Sequence, residues 1–116
     1  MKPAPFDYLA PSTLDEALAA MDEHGFGAKL LAGGQSLIPT MNFRLAQPSL
    51  LIDLNGVEEL NKLHPDESHG VHIGAMVRQS QVEHSQVVRK LAPMVHEVMP
   101  HIAHPQIRNR GTIGGS

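Results

Sequence analysis

Two glycine-rich stretches hold the residue types best suited to meet a charged ligand. The first is Ala32-Gly33-Gly34-Gln35-Ser36-Leu37, and the second is Arg110-Gly111-Thr112-Ile113-Gly114-Gly115-Ser116. Around the first, an apolar run, a glycine pair, small polar residues and a second apolar run containing Pro39 read as a strand, a tight turn, and then a helical turn or irregular loop. Glycine tolerates positive φ and the close approach of a ligand, so Gly33 and Gly34 can bring main-chain N–H groups near an anion, with the amides of Gln35 and Ser36 converging beside them. A phosphate or diphosphate suits that geometry. A glycine pair after a strand more often makes only a turn, and what favours the ligand reading here is the second cluster, which could close on a dinucleotide from another side. Neither stretch is a P-loop, because no glycine-lysine-serine/threonine follows, and the G-x-G-x-x-G pattern is absent as well.

The other chemistry-bearing residues are weaker candidates. Of the eight histidines, His64, His69 and His72 surround one expected hairpin, and His101 and His104 are three apart at a helix end. That spacing is ligand-compatible. No H-E-x-x-H pattern accompanies it, so they are read as solvated and no metal site is expected. Asp53 ends an apolar run and fits either a catalytic acid or a cap for the following turn, the cap being the better match. Arg108 and Arg110 fit phosphate partners or surface or interface ion pairs, the latter favoured. With no cysteine, disulfides, thiolate zinc, iron–sulfur ligation and a cysteine nucleophile are excluded within these residues.

The elements that must position these residues can be taken in order. Prolines 3, 5 and 11 block helix and leave a short edge strand over 6–8. Thr13 and Glu16 form a capping-box pattern ahead of Leu14, Ala17, Leu18 and Met21 at helical spacing, and Gly25 offers a left-handed stop. This predicts a helix of about three turns. A strand over 29–32 follows, giving a β–α–β start whose carboxyl end delivers the glycine turn. A short helix or helical loop is expected over 37–45. The nearly all-apolar run 50–54 then predicts a strand buried on both faces of a parallel sheet. Asn55-Gly56 turns the chain, 57–60 is a helical turn at best, and 61–64 and 71–74 flank a hairpin. From Arg78 the apolar residues suit one or two helices, with Pro93 as the first residue of the second, Pro100 kinking it and Pro105 ending it.

The sequence has 116 residues, 41% of them hydrophobic but only 3% aromatic, so its core must be built from Leu, Ile, Val, Met and Ala. Net charge is −3 and the nine Lys and Arg are dispersed, which argues against a nucleic-acid groove. No stretch approaches the ~18 apolar residues of a membrane span, and the start lacks the apolar core of a signal peptide, so a soluble cytoplasmic protein is expected.

Several motifs in succession resemble one family. Ala32-Gly33-Gly34-Gln35-Ser36-Leu37-Ile38-Pro39, Arg44-Leu45 with Pro48, Leu51-Ile52-Asp53-Leu54, Ile73-Gly74-Ala75 and Gln106-Ile107-Arg108-Asn109-Arg110-Gly111-Thr112-Ile113-Gly114-Gly115 follow the order and spacing of the FAD-binding (medium) subunit of molybdenum hydroxylases, such as carbon monoxide dehydrogenase and the flavin domain of xanthine dehydrogenase. The resemblance implies an α+β (α/β) FAD-binding fold of the PCMH type, with a βαβ subdomain over 1–56 and an incomplete second subdomain over 57–116. It implies that Ala32, Gly33, Gly34, Gln35, Ser36 and Leu37 hold the FAD diphosphate, and that Thr112, Ile113, Gly114, Gly115 and Ser116 meet the flavin nucleotide. Many relatives have Asn where this chain has Ser116. Ile102 and Ala103 fall where relatives line the nucleotide site, with plain core packing the even alternative. It further implies an electron-transfer subunit of a molybdopterin-dependent dehydrogenase, partnered by a molybdenum-cofactor large subunit and a two-iron two-sulfur small subunit, with no catalytic acid or base of its own. Family subunits continue well past Ser116, so residues 1–116 alone are expected to bind FAD weakly or not at all and to be inactive as an oxidoreductase. The other reading is a truncated, non-catalytic fragment that self-associates or docks to partner subunits.

Overall fold

The prolines at the start do keep the chain extended, and it enters a sheet only at β1 (Asp7–Leu9), one residue later than expected. The computed structural model describes residues 1–68 and 70–116, and these divide into two compact units, Met1–Glu59 and Leu60–Ser116.

In the first unit Thr13 caps α1 (Leu14–His24), its hydroxyl accepting from the Glu16 N–H at 3.1 Å. The reciprocal bond of the expected capping box goes one residue further back, where Glu16 accepts from the N–H of Ser12. Gly25, at φ 56, stops the helix and sends its own N–H to the Met21 carbonyl. The helix packs through Ala17 and Ala20, helped by Met21, whereas Leu18 is exposed. Small residues set this face because they let the helix lie close on the sheet.

That sheet is parallel, with β3 (Leu50–Asp53) between β1 and β2 (Ala28–Leu31). Asp7, Leu50 and Ala28 lie in register, as do Tyr8, Leu51 and Lys29. Alternation puts Leu50 and Ile52 on the face shared with Ala28, under α1, and Leu51 on the other. All three are buried, as an uninterrupted apolar run in a central parallel strand requires. A short α2 (Leu37–Asn42) links β2 to β3.

In the second unit β4 (Leu63–Pro65) and β5 (Val71–Ile73) form an antiparallel hairpin. Asp66 donates its N–H to Gly70, while its carboxylate accepts from the Ser68 hydroxyl and from the amides of Gly70 and Ser68, contacts that hold its pKa below the ordinary value. Leu63, Val71 and Ile73 turn inward onto Val77, Val82, Val88 and Met99. His64 and His72, directly opposite each other, stack outside with ring centroids 4.7 Å apart.

The helical part is more broken than its apolar spacing suggests. It comprises α3 (Gln79–Glu83), α4 (Gln86–Leu91), α5 (Pro93–Val98), a 3-10 turn (Met99–His101) and α6 (Pro105–Arg108). Ser85 starts α4 by accepting from the Val88 N–H. Pro93 opens α5 as expected, but Pro105 also opens a helix instead of ending one. A proline lacking an N–H loses nothing at a first helical position.

Candidate functional site

The first glycine stretch leaves the carboxyl end of β2 and turns on Gly34, at φ 76. A Cβ there would sit 3.2 Å from Ile38 Cγ1 and would be strained by the backbone in any case. The carbonyls of the turn are engaged. Gly33 accepts from Gln35 Nε2, Gly34 from the Ile38 N–H at 3.1 Å, and Ser36 from both the N–H and the hydroxyl of Thr40. The amides are a different matter: among the described residues, those of Gly33, Gly34, Gln35, Ser36 and Leu37 donate to no protein acceptor. Five consecutive amides, on residues that are half-buried or, at Ser36, exposed, and on a segment without a charged side chain, are donors of the kind a multiply charged oxyanion takes. FAD carries such a group in its diphosphate, and the residues fit it.

Beside this turn lies a polar corner assembled from the ends of the parallel strands. The Tyr8 phenol donates to Asp53 Oδ2, which raises its pKa above the ordinary tyrosine value. Asp53 Oδ1 accepts from the N–H of Asn55 at 2.9 Å and from its Nδ2 at 2.6 Å, and the same Nδ2 donates to the Ala32 carbonyl at 3.0 Å. Leu54 completes the corner with an N–H bond to Leu31 at 2.9 Å. Asp53 thus caps the following turn, the better match of its two sequence readings. Asn55 was missed as a functional candidate. Its sequence signal, Asn-Gly after a strand, specifies a turn and says nothing of a carbonyl 23 residues upstream.

The second glycine stretch is built on different terms. Thr112 is buried and bridges to Arg78; Ile113 donates to Val77 at 3.0 Å, Gly114 to Ala75 at 2.8 Å, and Gly115 to the Thr112 hydroxyl at 3.1 Å. Packing demands glycine at 114 and crowds position 111. A Cβ at Gly114 would lie 2.6 Å from that of Ala75, and one at Gly111 would lie 2.8 Å from Gln79 Oε1, a buried acceptor with no hydrogen-bond partner among the described residues. What the stretch can offer a ligand is the exposed surface of Gly114, Gly115 and Ser116.

Ile102 packs against the second core, and Ala103, exposed, adopts a left-handed backbone at φ 47. Arg108 is buried, pairs with Glu83 at 2.8 Å, and donates Nη1 to the carbonyls of Ile102 at 2.8 Å and Pro100 at 3.3 Å. Arg108 does form an ion pair, but inside the fold and not at a surface or interface as expected, because its guanidinium also serves two main-chain carbonyls of the same unit. Arg110 is exposed, and its carbonyl accepts from Arg78 at 2.7 Å. Of the histidines singled out, His69 lies outside the described residues. His101 and His104 are exposed, and His104 Nδ1 meets Gln106. Among the described residues no group of three or more histidine or carboxylate side chains is placed to hold a metal ion.

A parallel-stranded unit ending in an amide-lined turn, followed in the chain by a hairpin-and-helix unit, makes the fold a mixed α/β one. The model of the FAD binding domain in molybdopterin dehydrogenase matches residues 4–116, and the chain belongs to that family, whose cofactor is FAD and whose fold is of the PCMH type. It is 46% identical over 115 residues to the carbon monoxide dehydrogenase medium chain of Hydrogenophaga pseudoflava and 44% identical over 116 residues to the caffeine dehydrogenase subunit beta of Pseudomonas sp. strain CBB1. These alignments cover 99% and 100% of this chain but 40% and 39% of those relatives. Among solved structures, carbon monoxide dehydrogenase from Hydrogenophaga pseudoflava superposes with a TM-score of 0.95 at 46% identity, covering 99% of this chain and 40% of that one. Quinoline 2-oxidoreductase from Pseudomonas putida 86 follows with a TM-score of 0.94 at 40% identity, covering 100% and 40%. The chain therefore spans about two fifths of the length of these relatives.

Proposed function

We propose that this chain is the N-terminal, FAD-holding part of an electron-transfer subunit in a molybdopterin-dependent dehydrogenase of the carbon monoxide or xanthine dehydrogenase type. The five spare amides after β2 carry this reading, since they are donors of the kind a diphosphate needs and among the described residues they donate to no protein acceptor. Ala32, Gly33, Gly34, Gln35, Ser36 and Leu37 take the diphosphate. In the second unit Ile102, Ala103, Thr112, Ile113, Gly114, Gly115 and Ser116 are the candidate flavin-nucleotide residues, of which Ala103, Gly114, Gly115 and Ser116 are exposed while buried Thr112 and half-buried Ile102 and Ile113 support them. FAD supplies the redox chemistry when bound, passing electrons from iron–sulfur clusters to an acceptor, and the chain's own residues bind and orient it. A large subunit with the molybdenum cofactor and a two-iron two-sulfur small subunit are the partners, and a cytoplasmic setting goes with them. The carbon monoxide dehydrogenase medium chain and the caffeine dehydrogenase subunit beta named above support this assignment by identity over 99% and 100% of this chain.

Because the chain spans about two fifths of those relatives, we propose that it holds FAD weakly by itself and is inactive as an oxidoreductase. FAD is titrated into the 116-residue protein, and into a chimera in which it replaces the matching N-terminal part of the Hydrogenophaga pseudoflava medium chain. The expected dissociation constants are above about 1 µM for the first and well below it for the second. Sub-micromolar affinity of the chain alone as a monomer would overturn the weak-binding claim. A chimera that takes up no FAD would overturn the function.

A second reading, a non-catalytic chain that pairs with itself, is favoured by the outer strands of the sheet. Each pairs only with β3 among the described residues, and Tyr8, Leu9 and Leu30 are exposed there. Light scattering on the purified protein decides it, a clean monomer speaking against self-association.

A further inference from the structure

We infer that Asn55 is a positioning residue for the diphosphate turn, acting through the Ala32–Gly33 peptide and backed by Asp53 and Tyr8. This rests on the FAD reading above and adds to it the device that aims the first donor.

A trans peptide is planar, with its C=O and N–H pointing in opposite directions, and no cis peptide occurs among the described residues. The Ala32 carbonyl and the Gly33 N–H belong to one such plane. Asn55 Nδ2 holds that carbonyl at 3.0 Å, so the Gly33 N–H is turned away from the corner. A glycine at that position could otherwise rotate its peptide at little cost. Asn55 itself has no freedom to let go, because Asp53 Oδ1 grips both its side-chain nitrogen and its main-chain N–H, at 2.6 and 2.9 Å. The Tyr8 phenol then fixes the other oxygen of that carboxylate. One chain of hydrogen bonds thus runs from β1, through the end of β3, to the residue that precedes the spare amides.

The test compares the parent with Asn55→Asp, which keeps the size and removes the donor, and with Tyr8→Phe, which removes only the outermost link. Two readouts are taken. One is the amide resonance and hydrogen exchange of Gly33 in the 116-residue protein without FAD. The other is the FAD dissociation constant in the chimera. Asn55→Asp is expected to displace the Gly33 resonance, to leave Leu54 protected by its bond to Leu31, and to weaken FAD about tenfold. Tyr8→Phe is expected to weaken it about threefold while keeping the thermal midpoint near that of the parent. If Leu54 loses protection in Asn55→Asp, the decision passes to Tyr8→Phe, whose two readouts must then move together. An unmoved Gly33 resonance overturns the peptide lock. A displaced Gly33 with unchanged FAD affinity overturns its role toward the diphosphate. A parent chimera that takes no FAD while Asn55→Asp still moves Gly33 refutes the flavin reading and leaves the lock standing.

Discussion

Tyr8 is the sole tyrosine in a chain without tryptophan, so its phenol can be titrated alone by phenolate absorbance. The hydrogen bond to Asp53 raises its pKa from the ordinary 10.0. A raised pKa means that the folded state holds the proton more tightly. The interaction therefore contributes its stability below the ordinary tyrosine pKa and loses it as pH rises through the folded value. The phenol is expected to ionise later than that of free tyrosine, and Asp53→Asn to bring it back toward the free value. A coincident titration in the two proteins would refute the link. Arg108 gives a larger effect. Replacing it with Met leaves the Glu83 carboxylate and the carbonyls of Ile102 and Pro100 without their buried donor. Denaturant unfolding should show a loss of about 3–5 kcal/mol, the usual cost of breaking a buried pair from one side.

Among the elements, α1 was legible because every signal for it is local: Thr13 caps, Glu16 sits one turn on, and Gly25 takes the positive φ that ends it. Thr13→Ala is expected to cost about 1 kcal/mol by thermal or denaturant unfolding, the worth of one satisfied amide at a helix start. The strand β3 was legible for a similar reason, its unbroken apolar run matching burial on both faces. The helices after Arg78 were read less well. Their apolar residues recur at helical spacing across three breaks, and spacing alone cannot show that Ser85 turns inward to start a new helix. Pro105 misled for the opposite reason. Proline both stops and starts helices, and which it does depends on what precedes it, here an extended His104.

For the whole molecule, the family was written in the order of motifs, while the working parts of the site were only half visible. The spare amides after β2 follow from a glycine pair at a strand end, which sequence can propose. The hold of Asn55 on Ala32 depends on β3 lying beside β2, a matter of strand order that no local pattern encodes. The second glycine stretch was the reverse case: its glycines looked like ligand contacts, yet close packing against Ala75 already requires Gly114. Ligand binding should appear as stability. In the chimera, FAD at a hundred times its dissociation constant is expected to stabilise the fold by about 2.7 kcal/mol, read as a shift in the denaturation midpoint. No shift at saturating FAD would mean that the native state does not take it up.

Every residue of the polar corner, from Tyr8 to Asn55, precedes the hairpin in the chain. Synthesis from the amino terminus therefore delivers Tyr8, Asp53, Asn55 and the turn they support before β4 has been translated. A nascent chain halted after the first unit already carries the five amides and the hydrogen-bonded chain behind them.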